Sequence, residues 1–178
     1  MRATIVLLLF SIVGCQRGLQ DAEDALPAVG AVLPSFSLVQ LDGRRVTAAD
    51  LHGRPSVVAL WSSTCSKSRL ALAGIAALHR EYADRGVRVL VLANDASAEA
   101  VQAVLDSAAL SVPVALADGQ IDRLFATSKR WPWQQGVALP SFLVVDGTGV
   151  VRRRVAGIEQ NPADRMQRVR GALSELIP

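Results

Sequence analysis

The run Ser56-Val57-Val58-Ala59-Leu60-Trp61 is almost unbroken in its apolar character and predicts a strand buried on both faces. From Arg69 to Arg85 the pattern changes: Leu70, Leu72, Ile75, Leu78 and Tyr82 recur near helical spacing and predict a helix with those residues inward. Val87 to Ala93 reads as a second buried strand, and Val112 to Leu116 as a short third. Between them Ser97 is placed to cap a helix reaching Ala109, with Val101, Val104 and Leu105 on its apolar side. Phe36 to Leu41 and Arg44 to Val46 flank Asp42-Gly43, a strong hairpin signal, and Thr47 to Leu51 predicts a brief turn or helix. Asp118-Gly119 precedes a helix through Phe125. Phe142 to Val145 and Val150 to Val155 form a closing hairpin around Gly147-Thr148-Gly149. Asn161-Pro162 marks the start of a last helix, with Met166, Val169, Leu173 and Leu176 inward. Strands alternating with helices and ending in a hairpin predict an α/β fold with a mixed central β-sheet.

The amino end does not fit this scheme. Met1-Arg2 and the apolar stretch Ala3 to Val13 form a positive end and a core too short for a permanent membrane helix, which needs ~20 residues. The stretch suits a secretory signal. It runs into Ile12-Val13-Gly14-Cys15, which resembles a bacterial lipobox, and Gln16 after the cysteine resembles the outer-membrane-sorted class. The alternatives are an ordinary cleaved signal or a buried strand. The expected division is a lipoprotein signal peptide over 1–14, a tether over 15–31 beginning at lipidated Cys15, and one domain over 32–178. The product would be exported and membrane-anchored, facing the periplasm or the extracytoplasmic side of the membrane.

Composition narrows the field of activities. A chain of 178 residues, half of them apolar, supplies a single core and is not of disordered composition. The net charge of +3 is small, and basic residues are scattered apart from Arg152-Arg153-Arg154. With few aromatic residues to stack bases, no nucleic-acid partner is expected. The arginine triplet fits a terminal strand with alternate side chains in solvent. His52 and His79 read as structural, no Cys/His/Asp set has metal-ligand spacing, and no glycine-rich phosphate loop appears. Neither metal nor cofactor is expected.

Two cysteines are present, and lipidation of Cys15 would leave Cys65 as the only thiol. Cys65 lies where the strand ending at Trp61 gives way to a helix. Free amide groups and the positive end of the helix dipole there favour a thiolate, and Lys67 and Arg69 add positive charge. The competing reading is a cysteine acting as a small buried hydrophobe.

Trp61-Ser62-Ser63-Thr64-Cys65-Ser66-Lys67-Ser68 resembles the W-x-x-x-C-x-x-C site of the bacterial thioredoxin-like family typified by TlpA and ResA. Leu33-Pro34-Ser35-Phe36, Leu41-Asp42-Gly43, Gly53-Arg54-Pro55 and Leu139-Pro140-Ser141-Phe142 resemble that family in the same order. The resemblance implies a thioredoxin-like fold with an N-terminal β-hairpin, and a cis bond before Pro140 that turns the Leu139 backbone toward the thiol. Otherwise Pro140 is only an edge-strand stop. Site residues carried over are Cys65, Ser68 and Pro140 as catalytic, with Trp61, Thr64, Ser66, Lys67 and Leu139 lining a substrate groove. Partners would be protein or small-molecule thiols and disulfides.

The pattern departs from the family where the chemistry is done. The second cysteine is replaced by Ser68, which can hydrogen-bond a thiolate but cannot resolve a mixed disulfide. Ala71, Ala73 and Ala59 stand where the family or thioredoxin carries a glutamate, a proline and a buried acid, and Thr64 replaces an aromatic residue. Three activities stay open: a monothiol oxidoreductase, a non-catalytic binding or sensing module, and a one-cysteine peroxidase, the last lacking a proline at Val58. Trp131-Pro132-Trp133 lies in an apparent insertion, read as a partner platform or as cover for its own small core.

Overall fold

The computed structural model describes residues 22–127, 136–157 and 161–177. Seven strands form one mixed sheet in the order β2-β1-β5-β4-β3-β6-β7: β1 Ser37–Gln40, β2 Arg45–Thr47, β3 Ser56–Trp61, β4 Arg88–Ala93, β5 Val114–Leu116, β6 Ser141–Val145 and β7 Val151–Val155. The central strand, β3, is buried at all six positions because it pairs parallel to β4 on one side and antiparallel to β6 on the other. Its side chains therefore alternate between two cores. Val57, Ala59 and Trp61 face a layer built by helices α1 (Ser66–Tyr82), α2 (Ala98–Ser107) and α4 (Pro162–Ser174). Val58 and Leu60 face the other side, where α3 (Ile121–Phe125) packs with Phe36, Leu51 and Leu26.

The hairpins form where the turn residues place them. Gly43 has φ +81°, a conformation that glycine adopts without a Cβ penalty, and Asp42 accepts from the Arg44 amide at 3.0 Å. Ser97 accepts from the Ala100 amide at 3.1 Å and Asn161 from the Ala163 amide at 3.0 Å, so both predicted caps close their helices.

Several boundaries and faces differ from expectation. Leu70 is 69 % exposed, not inward. It stands two positions, about 200° around the helix, from buried Leu72, and the inward face runs instead through Ser68, Ala71, Leu72, Ile75, Leu78 and Tyr82. The same helix starts earlier than predicted, at Ser66, and its last turn, Ala83–Arg85, tightens to a 3-10 helix. The predicted strand over 112–116 shortens to Val114–Leu116, and Leu176 packs on the core from beyond the end of α4. In β7 the two consecutive residues Arg152 and Arg153 are both exposed, because a bulge opposite Val144 and Val145 breaks the alternation.

The presumed tether is part of the domain from residue 22 onward. Leu26 is fully buried, the Thr127 amide donates to the Ala25 carbonyl at 3.0 Å, and Gly30 donates to Val151 at 2.8 Å. Glu23 pairs with Arg168 and Asp24 with Arg154, so the arginine triplet partly serves to clasp this segment. The signal stretch, Cys15 and Trp131-Pro132-Trp133 lie outside the described residues. Among the described residues no helix is long and apolar enough to cross a membrane.

Candidate active site

Parallel pairing of β3 and β4 ends at Trp61 and Ala93, so the segments that follow both strands emerge side by side. Cys65 is the N-cap residue of α1, with an extended backbone, and is half-buried. Its amide donates to the Ser62 carbonyl at 3.4 Å and its carbonyl accepts from Arg69 at 3.0 Å, which sets the sulfur over the unpaired amides of the first turn. Burial pushes the thiol up. The Ser68 amide and hydroxyl, the Lys67 amide and the Lys67 charge together outweigh it, so the pKa lies below the ordinary thiol value.

The Ser68 side chain is fully buried, and its Oγ has no hydrogen-bond partner of standard geometry among the described residues. Its dipole still sits close enough to favour the thiolate. Arg69, expected to add charge at the sulfur, turns instead toward the Ser63 carbonyl at 3.4 Å.

Leu139 and Pro140 reach the site from the start of β6, and the bond between them is cis. The Leu139 carbonyl oxygen lies 3.6 Å from the Cys65 Sγ, the reach of an S–H donor. Behind it, Gly157 allows the chain after β7 to touch Pro140: a Cβ built on Gly157 would stand 1.9 Å from the Pro140 oxygen. The Gly157 carbonyl accepts from buried Arg165 of α4 at 3.1 Å.

Not every residue carried over lines a groove. Thr64, Ser66 and Lys67 are exposed around the sulfur and Leu139 is half-buried. Trp61 is 1 % exposed and belongs to the core. Its indole Nε1 donates to the Ser68 carbonyl at 2.7 Å, tying the end of β3 to the first turn of α1. A tryptophan at the last inward position of a central strand packs under the helix that follows, and cannot also face solvent.

Asp95 is the residue that pattern reading missed. It is 9 % exposed and follows β4. Its carboxylate accepts from the Ser63 amide at 3.0 Å, the Ser63 hydroxyl at 2.5 Å and the Ser62 hydroxyl at 3.5 Å. Ser62 also meets the Thr64 hydroxyl at 2.9 Å. Asp95 thus holds the three residues leading into Cys65. The available signal was an acid two residues past an apolar strand, at the carboxyl end of a parallel pair where α/β sites gather.

The sequence profile of the AhpC/TSA family matches residues 29–154. Thiol-disulfide oxidoreductase ResA of Bacillus anthracis is 26 % identical over 180 residues, covering 99 % of this chain and 95 % of the relative. Among solved structures, a thiol:disulfide interchange protein of the thioredoxin family from Chlorobium tepidum superposes with a TM-score of 0.63 at 23 % identity, over 83 % of this chain and 99 % of that one. A secreted disulfide oxidoreductase from Mycobacterium tuberculosis gives 0.58 at 21 % identity, over 76 % and 95 %. The fold is thioredoxin-like.

Proposed function

This chain belongs to the AhpC/TSA family, and from that premise we propose that it is an exported, lipid-anchored thiol-disulfide oxidoreductase working through one nucleophilic thiol. The observation that carries the reading is the Cys65 sulfur: half-buried at the start of α1, held toward the thiolate, and 3.6 Å from the Leu139 carbonyl. A thiolate is the attacking form in disulfide exchange. A peptide strand lying along the Leu139 backbone would bring its own sulfur to this point. The relative named a thiol-disulfide oxidoreductase supports the reaction class, and Cys15 at the end of the apolar leader supports anchoring.

The chemistry closes with one sulfur. The Cys65 thiolate attacks one sulfur of a substrate disulfide, forming a Cys65 mixed disulfide as the other sulfur leaves as a thiolate. A second, external thiolate then attacks the substrate sulfur of the mixed disulfide, yielding a new disulfide and restoring the Cys65 thiolate. Ser68 cannot perform that second attack, so turnover depends on the concentration of the external thiol.

Acid-quenched cells should yield covalent adducts on Cys65 that reductant releases and that Cys65→Ser lacks, with fatty-acid labelling dependent on Cys15. Ser68→Cys should confer insulin reduction by supplying a resolving sulfur. If wild type forms no adducts and Ser68→Cys reduces nothing, a binding module replaces the enzyme. Cys65-dependent peroxide consumption without a disulfide substrate would instead identify a one-cysteine peroxidase.

A further inference from the structure

Among the described residues, the end of the sheet opposite Cys65 gathers four arginines around a single carboxylate. Ser56 pairs with Arg88 there, whereas Trp61 pairs with Ala93 at the thiol end, so the two ends are separated by roughly 17 Å of strand. A cleft of about 460 Å³ opens at this far end, walled by Arg44 and Arg45 of the first hairpin, Arg54 before β3, Arg88 of β4 and His79 of α1. Asp50 is the one carboxylate among the residues that line it. Its Oδ2 already accepts from the Thr47 amide and hydroxyl, at 2.7 Å each.

Two of the four arginines are engaged elsewhere. Arg44 pairs with Asp42, and Arg45 donates to the Ser37 hydroxyl at 3.0 Å. The side chains of Arg54 and Arg88 make neither a hydrogen bond nor an ion pair among the described residues. Arg54 is exposed at the mouth of the cleft and Arg88 is half-buried. Burial and the neighbouring Arg54 charge both press the Arg88 pKa down, with Asp50 opposing them. Like charges held together in a recess gain most from a shared counter-ion, and guanidinium groups match oxyanions two bonds at a time. His79 adds a buried Nδ1 that has no partner among the described residues.

We propose that the cleft between Arg54 and Arg88 binds a phosphate-bearing anion. Its volume falls within the ~300–1,000 Å³ of small-molecule sites, so it takes a phosphomonoester or a lipid phosphate headgroup and not merely a bare ion. The site is independent of the thiol chemistry.

The test titrates the full chain calorimetrically with inorganic phosphate and with glycerol 3-phosphate. In a parallel arm the chain is sedimented with phosphatidylcholine vesicles, with and without phosphatidylglycerol. Saturable binding is expected, weakened about tenfold or more in Arg54→Ala/Arg88→Ala and less than about twofold in Arg153→Ala, which removes an exposed arginine outside the cleft. The rate of Cys65 alkylation should be equal in all three proteins, which shows that the fold is intact. Tighter binding of glycerol 3-phosphate without a vesicle preference assigns a soluble ester. A preference for phosphatidylglycerol that the double variant loses assigns a headgroup. If wild type binds neither probe and prefers neither vesicle, or the double variant binds like wild type, the proposal is overturned.

Discussion

The Cys65 sulfur and the Leu139 carbonyl oxygen face each other at 3.6 Å, although 74 residues separate them in the chain. That pairing joins the two halves of the candidate site: a thiol whose pKa the first turn of α1 lowers, and the backbone edge on which the proposed substrate strand would lie. Each half is held from behind, the first by Asp95 and the second by Gly157.

The thiol should titrate below the free-cysteine value. Because its pKa is lowered, the thiolate persists to lower pH, and the alkylation rate should reach half its plateau below pH ~8.5. Ser68→Ala should move that midpoint upward by removing a dipole that favours the anion. It should cost almost no stability, since it deletes a buried hydroxyl without a geometric partner among the described residues. A midpoint at or above pH ~8.5 in wild type would contradict the activated thiol.

Asp95→Ala strips the Ser63 amide and two serine hydroxyls of their shared acceptor in a site that is largely buried. Urea unfolding should show a loss of about 2 kcal/mol or more. Asp95→Asn retains one acceptor oxygen and should lose less. Equal stability of all three proteins would show that the carboxylate does not hold the loop.

Gly157→Ala should be among the most damaging small substitutions. The added carbon would stand 1.9 Å from the Pro140 oxygen, a backbone atom that cannot swing aside. Either the 156–157 turn or the Leu139–Pro140 segment must shift. We expect a stability loss of about 3 kcal/mol or more, with slower mixed-disulfide formation at Cys65. Gly171→Ala, with nothing within 4 Å of the new carbon, is the matched control and should be neutral or mildly stabilising.

Asp146 provides the acid limb of stability. Its carboxylate accepts from the Thr148 hydroxyl at 2.6 Å, the Thr148 amide at 2.8 Å, the Val150 amide at 3.1 Å and Arg152 at 2.6 Å. Burial pushes its pKa up, yet these donors outweigh it and hold the carboxyl well below the usual range. A carboxyl whose folded pKa is depressed stabilises fully above its unfolded value of ~3.9, and that contribution fades as pH falls toward the folded one. Asp146→Asn should therefore cost about 1–2 kcal/mol at pH 7, and the gap to wild type should narrow by pH 3. A gap unchanged between the two pH values would refute the linkage.

Local pattern carried much of this molecule. The apolar run ending at Trp61, the Asp42-Gly43 turn, and the Ser97 and Asn161 caps all depend on residues within a few positions of one another, and all formed where the pattern placed them. The junction at Cys65 was legible for the same reason: an extended run followed by helical spacing leaves free amides at the boundary. Periodicity could not say which of two near-equivalent helix faces turns inward; Leu70 went to solvent, while Ala71 and Leu72 joined the core layer that holds Ala59 and Trp61. Nor could it show that an acid 32 residues beyond Ser63 would bind that serine's amide, or that residue 157 must lack a side chain. Those contacts exist only because β4 lies beside β3 and β7 beside β6. Which strands become neighbours is settled by burying the whole apolar surface at once, and no short window of sequence contains that information.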